Sequence, residues 1–200
     1  FLNSGGYAFL KQELVNLTKK YDSHVLCDLG CGEGYYTAGF AAEEKYGFDM
    51  SKEALKHASK NDPSTQYAVA SIFRLPLEDA SCDTAVTCFA PFAKDEIERV
   101  LTQGGRFFFV SPGPKHLFEL KQLIYDTPYE NEMKDLETTL VKEEEYFISN
   151  TFHCEKENLI SLFKMTPYYH RTRNEDLDKI NHQDGMDITA EFLIRVYQKR

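Results

Sequence analysis

The stretch VLCDLGCGEGYYT, Val25 to Thr37, constrains this chain more than any other. A short apolar run ends at Gly30, Gly32 and Gly34, with Asp28 in front of the glycines and Glu33 among them. Apolar runs of this length that stop at glycines read as parallel strands buried on both faces. Glycines after such a strand let backbone N–H groups approach a ligand closely, and a helix beginning beyond them adds partial positive charge. A further acidic residue, Asp49, comes twenty-one positions after Asp28 at the end of the next apolar run. A carboxylate there can accept both hydroxyls of a ribose.

Asp28 sorts the nucleotide-like ligands. In dinucleotide enzymes the turn is written G-x-G-x-x-G, normally without an acidic residue before it, whereas here the order is DLGCGEG. Asp28 would repel a pyrophosphate and attract the amino group of a methionine-like moiety. The turn therefore favours S-adenosylmethionine, with S-adenosylhomocysteine as product, over NAD. A turn that needs glycine only for packing is the plainer alternative, and the spacing to Asp49 weighs against it.

Around the turn, strand and helix patterns alternate. Leu10, Leu14 and Leu17 recur at helical spacing between Leu2 and Tyr21, with Ser4 as N-cap. A helix is expected over Tyr35 to Glu44, a strand over Lys45 to Phe48, and a helix over SKEALKHASK capped by Ser51. Strands fit Gln66 to Ala70, Thr84 to Phe89 and Arg106 to Val110, with a helix from Lys94 to Leu101 stopped by the glycine pair that follows. After SPGP come a helix from His116 to Tyr125 and an acidic segment to Glu145 that reads as loop or insertion. YFISNTF and ITAEFLIRVYQ look like strands flanking a helix in CEKENLISLFKM, so an antiparallel hairpin closes the sheet. The expected class is α/β, a mostly parallel sheet with right-handed crossovers in one domain.

Net charge limits the partners. At -9 and a pI near 5.2 the chain lacks the general cationic surface that holds nucleic acid, so any such role rests on a local patch or on a part outside these residues. Five cysteines without a Cys-x-x-Cys pair suggest neither a disulfide framework nor a metal site, and a reducing cytoplasm is the expected compartment. No apolar run approaches the length of a membrane span. A chain opening on Phe1 rather than Met is expected to be a piece of a longer one.

DLGCGEGYYT, GFDMSKEALKHASK, VASIFRLP, APFAKDEIERVL and SPGPKHLFELKQLIY, in that order, with MTP at 165 to 167, resemble the bacterial 23S rRNA (guanine-N1)-methyltransferases of the RlmA type. The first two motifs indicate a class I methyltransferase and the PGPKHL block is the more particular. The resemblance implies a Rossmann-like, seven-stranded sheet, S-adenosylmethionine as donor, and transfer to N1 of a guanine in a 23S rRNA hairpin. It divides residues 1–200 into an entering helix (1–22), a cofactor-binding core (23–113) and the substrate side (114–200). By motif, Gly30, Gly32, Glu33, Gly34 and Tyr35 would line the methionine end, Asp49 and Met50 the ribose and adenine, and Ser71 and Ile72 the adenine. Tyr7 and His116 match further cofactor contacts. The family also begins with a small zinc-binding domain carrying a Cys-x-x-Cys pair, absent from these residues, so zinc belongs only to such a domain. The span from Gly34 to Asp49 is short for a helix, loop and strand together.

Several residues carry two readings. His116 is a surface histidine by residue type, a cofactor contact by resemblance, and the one candidate for a general base. Cys88 needs no nucleophilic role, because N1 methylation requires no covalent adduct. Ala90 and Pro91 are read as wall residues. Tyr35, Tyr168 and Tyr169 are core aromatics or stacking platforms for an extruded base. The HRTR run, with Arg171 and Arg173, together with Lys115 and Lys121, is a phosphate patch or ordinary surface. KEEEY at 142 to 146 reads as a solvated face. A small-molecule methyltransferase and a non-catalytic binding protein remain rivals, and a homodimer is left open.

Overall fold

The computed structural model describes residues 5–166, 169, 172 and 174–200. In chain order the elements are α1 (Ala8–Lys20), β1 (Val25–Leu29), a 3-10 turn (Thr37–Gly39), β2 (Glu44–Asp49), α2 (Lys52–Asn61), β3 (Gln66–Val69), β4 (Cys82–Cys88) and α3 (Lys94–Val100). They continue with β5 (Leu101–Pro112), α4 (Phe118–Ile124), β6 (Val141–Glu155), α5 (Lys156–Lys164), α6 (Asn174–Asn181) and β7 (Gly185–Gln198). Seven strands form one sheet in the order β3-β2-β1-β4-β5-β7-β6. It is parallel from β3 to β5 and antiparallel at the β5-β7-β6 end, as the late strand patterns predict.

The order reverses at β1, which pairs with β2 on one side and β4 on the other. Open α/β sheets bind ligands outside the carboxyl ends of the strands at such a switch point. Register puts Asp28 opposite Gly47 of β2 and Val86 of β4, and Leu29 opposite Phe48. The glycine turn therefore leaves the sheet beside the end of β2.

Two compact units divide the chain. One comprises Leu10–Ser111, Lys134–Tyr146 and Leu193–Arg200 and holds the glycine turn. Its core gathers Leu29, Phe48, Ala85, Ile97, Leu101 and Phe107, all nearly or fully inaccessible. Each large apolar side chain so buried contributes roughly 1.5–3 kcal/mol. The helix α2 closes on the sheet through Leu55 and Ala58, and Ser51 caps it by accepting from the Ala54 amide, as expected. The other unit comprises the described part of Phe1–Phe9 with Pro112–Met133 and Phe147–Phe192. Within it Leu120, Ile124, Leu159, Leu162, Phe163, Ile180 and Phe192 are buried. Among the described residues no helix is long and apolar enough to cross a membrane.

Four local expectations are corrected. No α-helix follows the glycine turn. The chain makes only the 3-10 turn Thr37–Gly39 before β2 starts at Glu44, because the span to Asp49 has no residues to spare for more. The glycine pair does not stop α3, which ends at Val100. Gly104 and Gly105 lie within β5, beside a break in its register with β4, and Gly104 takes φ +81°. His116 precedes its helix, since Leu117 at φ +53° delays α4 to Phe118. The acidic run at 143 to 145 is no bare solvated face either. Within β6, Glu143 pairs with Arg106, Glu144 with Lys20 and Tyr21, and Glu145 with Lys142 and the buried Arg195. Ser4 lies outside the described residues.

Candidate functional site

The three glycines of the turn all have positive φ, +81° at Gly30, +55° at Gly32 and +73° at Gly34, but they serve different ends. A Cβ on Gly30 would come 2.6 Å from the Ala90 Cβ, and one on Gly34 would come 2.6 Å from the Tyr67 hydroxyl and 3.0 Å from the Ala58 Cβ. These two are packing glycines. A Cβ on Gly32 would meet nothing within 4 Å. Only Gly32 therefore offers backbone to open space, a narrower role than all three glycines giving access.

The amides of the turn are already engaged. Gly30 and Cys31 both donate to the Phe48 carbonyl, at 2.8 and 3.0 Å, and Gly32 donates to Asp49 Oδ2 at 2.9 Å. A pyrophosphate site needs such N–H groups pointing at the ligand and a helix N-terminus behind them. Here these amides are spent inside the protein and the 3-10 turn supplies no macrodipole. The sequence argument against a dinucleotide gains a structural basis, while its expectation of a helix dipole at the ligand falls away.

Asp28 is 2% exposed, the next-to-last residue of β1. Its Oδ2 accepts a 2.6 Å bond from the Thr37 hydroxyl, and its Oδ1 is buried with no hydrogen-bond partner. Burial pushes its pKa up to about 7, opposed by the Thr37 bond and reinforced by the negative charge of Asp49. A buried carboxylate with a vacant oxygen is costly unless a donor or cation meets it, so the donor set suits an ammonium-bearing ligand.

Asp49 ends β2 half-buried. Its Oδ1 accepts from the Ser51 amide at 2.8 Å while Oδ2 holds Gly32, which fixes the carboxylate without exhausting its lone pairs. The Ala70 amide donates to the Asp49 carbonyl at 3.1 Å, drawing the end of β3 alongside. Asp49, Met50, Ser71 and Ile72 thus come together at the carboxyl ends of β2 and β3. Met50 is 70% and Phe73 61% exposed, an unusual apolar offering at one edge of a sheet. Glu33 is exposed. Tyr35 is half-buried, with the Lys11 ammonium 4.6 Å from its ring centre.

Tyr7 and His116 belong to the other unit, where the Tyr7 hydroxyl and His116 Nε2 are 3.2 Å apart and both rings pack on Phe192. Burial pushes the His116 pKa down to about 4, against the Glu191 backbone and with help from the Lys121 charge. It is a neutral imidazole at pH 7 and a weak proton acceptor, some way from the near-neutral pKa that suits a general base. Lys121 is a correction. Its side chain is buried, and Nζ donates to the Tyr129 carbonyl and to Asn131 Oδ1 at 2.9 and 2.7 Å, so it orders the chain after α4 and is no phosphate contact. Nothing in the sequence pattern marks that burial. Lys115 is exposed, Ala90 half-buried and Pro91 exposed, and burial pushes the Cys88 thiol well above its usual range. Tyr168, His170, Arg171 and Arg173 lie outside the described residues.

The family described as "Methyltransferase domain" matches residues 27–109. Geranyl diphosphate C-methyltransferase from Streptomyces coelicolor A3(2), solved with S-adenosyl-L-homocysteine, superposes with a TM-score of 0.53 at 13% identity, covering 88% of this chain and 70% of its own. The YcgJ protein from Bacillus subtilis superposes at 0.61 and 17% identity, over 94% and 98% of the two chains. Residues 27–109 are thus similar to a methyltransferase domain, and the sheet shares the fold of these solved structures. The chain is 28% identical, over 94% of its length and 71% of the relative's, to a Bacillus subtilis (strain 168) protein named "Putative 23S rRNA (guanine-N(1)-)-methyltransferase YxjB". It is 34% identical to the 23S rRNA (guanine(748)-N(1))-methyltransferase of Streptomyces fradiae, over 60% of this chain and 46% of that protein. The chain thus spans less than half the length of the second relative. Both of these relatives carry the guanine-N1 description that the PGPKHL block suggests.

Proposed function

We propose that this methyltransferase transfers the methyl group of S-adenosylmethionine to N1 of a guanine in a 23S rRNA hairpin. The observation that carries the reading of the cofactor is the buried, half-satisfied carboxylate of Asp28 beside a turn whose amides are already engaged. That combination fits a cationic amino-acid moiety and not a pyrophosphate. Asp28 would hold the methionine end, with Gly30, Gly32, Glu33, Gly34 and Tyr35 lining it. Asp49 would hold the ribose, and Met50, Ser71 and Ile72 would cover the adenine. Tyr7 and His116 are further cofactor contacts by resemblance alone. When bound, the cofactor supplies an electrophilic methyl on a sulfonium. The chain's own residues then orient two reactants and exclude water, contributions that proximity makes large. The guanine acceptor is supported by the names of the two relatives and by the PGPKHL motif, and a soluble cytoplasmic setting with ribosomal RNA as partner follows from it.

A second reading has one observation in its favour. The net charge of -9 is poor for a protein that grips RNA phosphates and is indifferent for one that methylates a small molecule. Labelled S-adenosylmethionine and undermethylated 23S rRNA, followed by mapping of the label, separate the two. Label at a guanine N1 supports the proposal. Label on no RNA moves the assignment to the small-molecule reading.

A further inference from the structure

The sequence offered Tyr35, Tyr168 and Tyr169 as stacking platforms for an extruded base; Tyr168 lies outside the described residues, and the structure gives the other two other work. The ring of Tyr35 is approached by the Lys11 ammonium and by the edge of Tyr36, 5.0 Å between centroids, and Tyr169 packs edge-on against Phe163 in the other unit. A residue to which the sequence reading assigned no role takes their place. We propose, resting on the RNA reading above, that Phe89 is the aromatic surface on which the acceptor base stacks.

Phe89 follows the last residue of β4, at the carboxyl edge where the switch point lies, and has φ +64°. A bulky L-residue in the left-handed region is a true outlier, retained only where the surroundings impose it, and such strain gathers at functional positions. Here the backbone is tied by the Phe89 amide donating to the Val110 carbonyl at 3.1 Å. The left-handed turn takes residue 89 out of the strand's inside-outside alternation. Its ring stays 42% exposed, although the residues before it in β4 are largely buried.

Two contacts tie this ring to the cofactor turn. The next residue, Ala90, is the neighbour that a Cβ on Gly30 would strike at 2.6 Å, so residues 89 and 90 lie directly against the turn. The Phe89 ring meets Tyr36, just beyond the turn, at 6.3 Å and 63° between planes. An exposed aromatic held in a strained backbone beside the methyl-donor turn fits a flat purine, because every base presents a π-face to stack and a base must leave its helix to be methylated at N1. The strain is the sign that the ring's position is selected over local comfort.

Three variants test this with an rRNA hairpin fragment as methyl acceptor, S-adenosylhomocysteine titrated by calorimetry, and thermal melts. Phe89→Leu is expected to lower kcat/KM for the RNA by about 10–100-fold, the range that loss of one base–aromatic stack gives, with S-adenosylhomocysteine affinity unchanged. Phe89→Tyr keeps the ring and is expected to stay within about 3-fold of wild type, since stacking tolerates the hydroxyl. Phe89→Gly is expected to lose activity like the leucine variant while melting at or above wild type, because glycine relieves the positive φ. Wild-type efficiency in Phe89→Leu overturns the proposal and leaves the function standing. A parallel loss of S-adenosylhomocysteine binding also overturns it, by making Phe89 a cofactor contact. A wild-type protein that binds S-adenosylhomocysteine yet methylates no RNA overturns the functional reading, and the stacking role with it.

Discussion

Asp28→Asn isolates the charge that the site keeps buried. In the cofactor-free protein Asp28 has a pKa near 7, against 3.8 for an unperturbed aspartate, chiefly because burial penalises its carboxylate. Between these values the folded state binds a proton that the unfolded chain releases, so this group's contribution to stability is fully present below about pH 4 and lost as pH rises through about 7. A shift of roughly three units corresponds to about 4 kcal/mol at 1.36 kcal/mol per unit, and relaxation of the site trims this to about 2–4 kcal/mol. Asparagine keeps the shape and still accepts from the Thr37 hydroxyl but never ionises. His116 works in the opposite direction. Its pKa, lowered to about 4, adds stability above pH 6.5 that is lost as pH falls toward 4. The two trends oppose each other in the wild type, so the informative quantity is the difference between wild type and Asp28→Asn. Urea melts at pH 4.5 and pH 8 measure it. The variant is expected to match wild type within about 1 kcal/mol at pH 4.5 and to exceed it by about 2–4 kcal/mol at pH 8. A difference that does not change with pH, or a variant less stable at pH 8, refutes the argument that Asp28 is a strained buried carboxyl.

Other expectations concern the turn and its support. Gly32→Ala is expected to fold, since its Cβ enters open space and the left-handed residue costs about 1 kcal/mol, but to weaken S-adenosylhomocysteine binding, read by calorimetry. Gly30→Ala is expected to lower the melting temperature much further, because strain and a 2.6 Å approach to Ala90 coincide. Equal stability of the two variants would contradict the division between packing and ligand-facing glycines. Lys45 and Asp62 form an ion pair at 2.9 Å with each side chain only 10% exposed. Lys45→Met should therefore cost about 3 kcal/mol in denaturant melts, as breaking one side of a buried pair does. The Asp62 pKa, lowered to about 2 by its bonds to Ser64, Thr65 and Lys45 against burial, makes this pair's stability present above about pH 4 and lost as acid approaches pH 2.

What the sequence made legible was the part governed by short-range chemistry. A five-residue apolar run before glycines must be a buried strand, a serine before a helical pattern caps it, and an aspartate at the next strand end meets the turn. Each of these depends on neighbours a few residues away or on parallel pairing that the alternation dictates. The misses depend on long-range partners. Lys121 looks like any surface lysine until Tyr129 and Asn131 close over it. The acidic run of β6 looks solvated until Lys20, Arg106 and Arg195 reach it from 37 to 124 positions away. The missing helix after the turn is a matter of chain length, and the shortness of the Gly34 to Asp49 span was its visible signal. Phe89 was placed at the end of the fourth strand but drew no role, because a left-handed φ on a phenylalanine is imposed by tertiary structure and is invisible to propensity. Of the residues read as cofactor contacts, those on β1, β2 and the glycine turn came from spacing, Tyr7 and His116 from resemblance alone.

The central claim is that the glycine turn and Asp49 form a site for a sulfonium amino-acid nucleoside and not for a dinucleotide. Calorimetric titration of S-adenosylmethionine into wild type and Asp49→Ala tests it most directly, with NAD titrated into the wild type alongside. The account expects S-adenosylmethionine to bind wild type, Asp49→Ala to bind about 10–100-fold more weakly through loss of charge-assisted bonds to ribose hydroxyls, and NAD to give no heat of binding. Equal affinity in the two proteins, or binding of NAD as tight as that of S-adenosylmethionine, would contradict it.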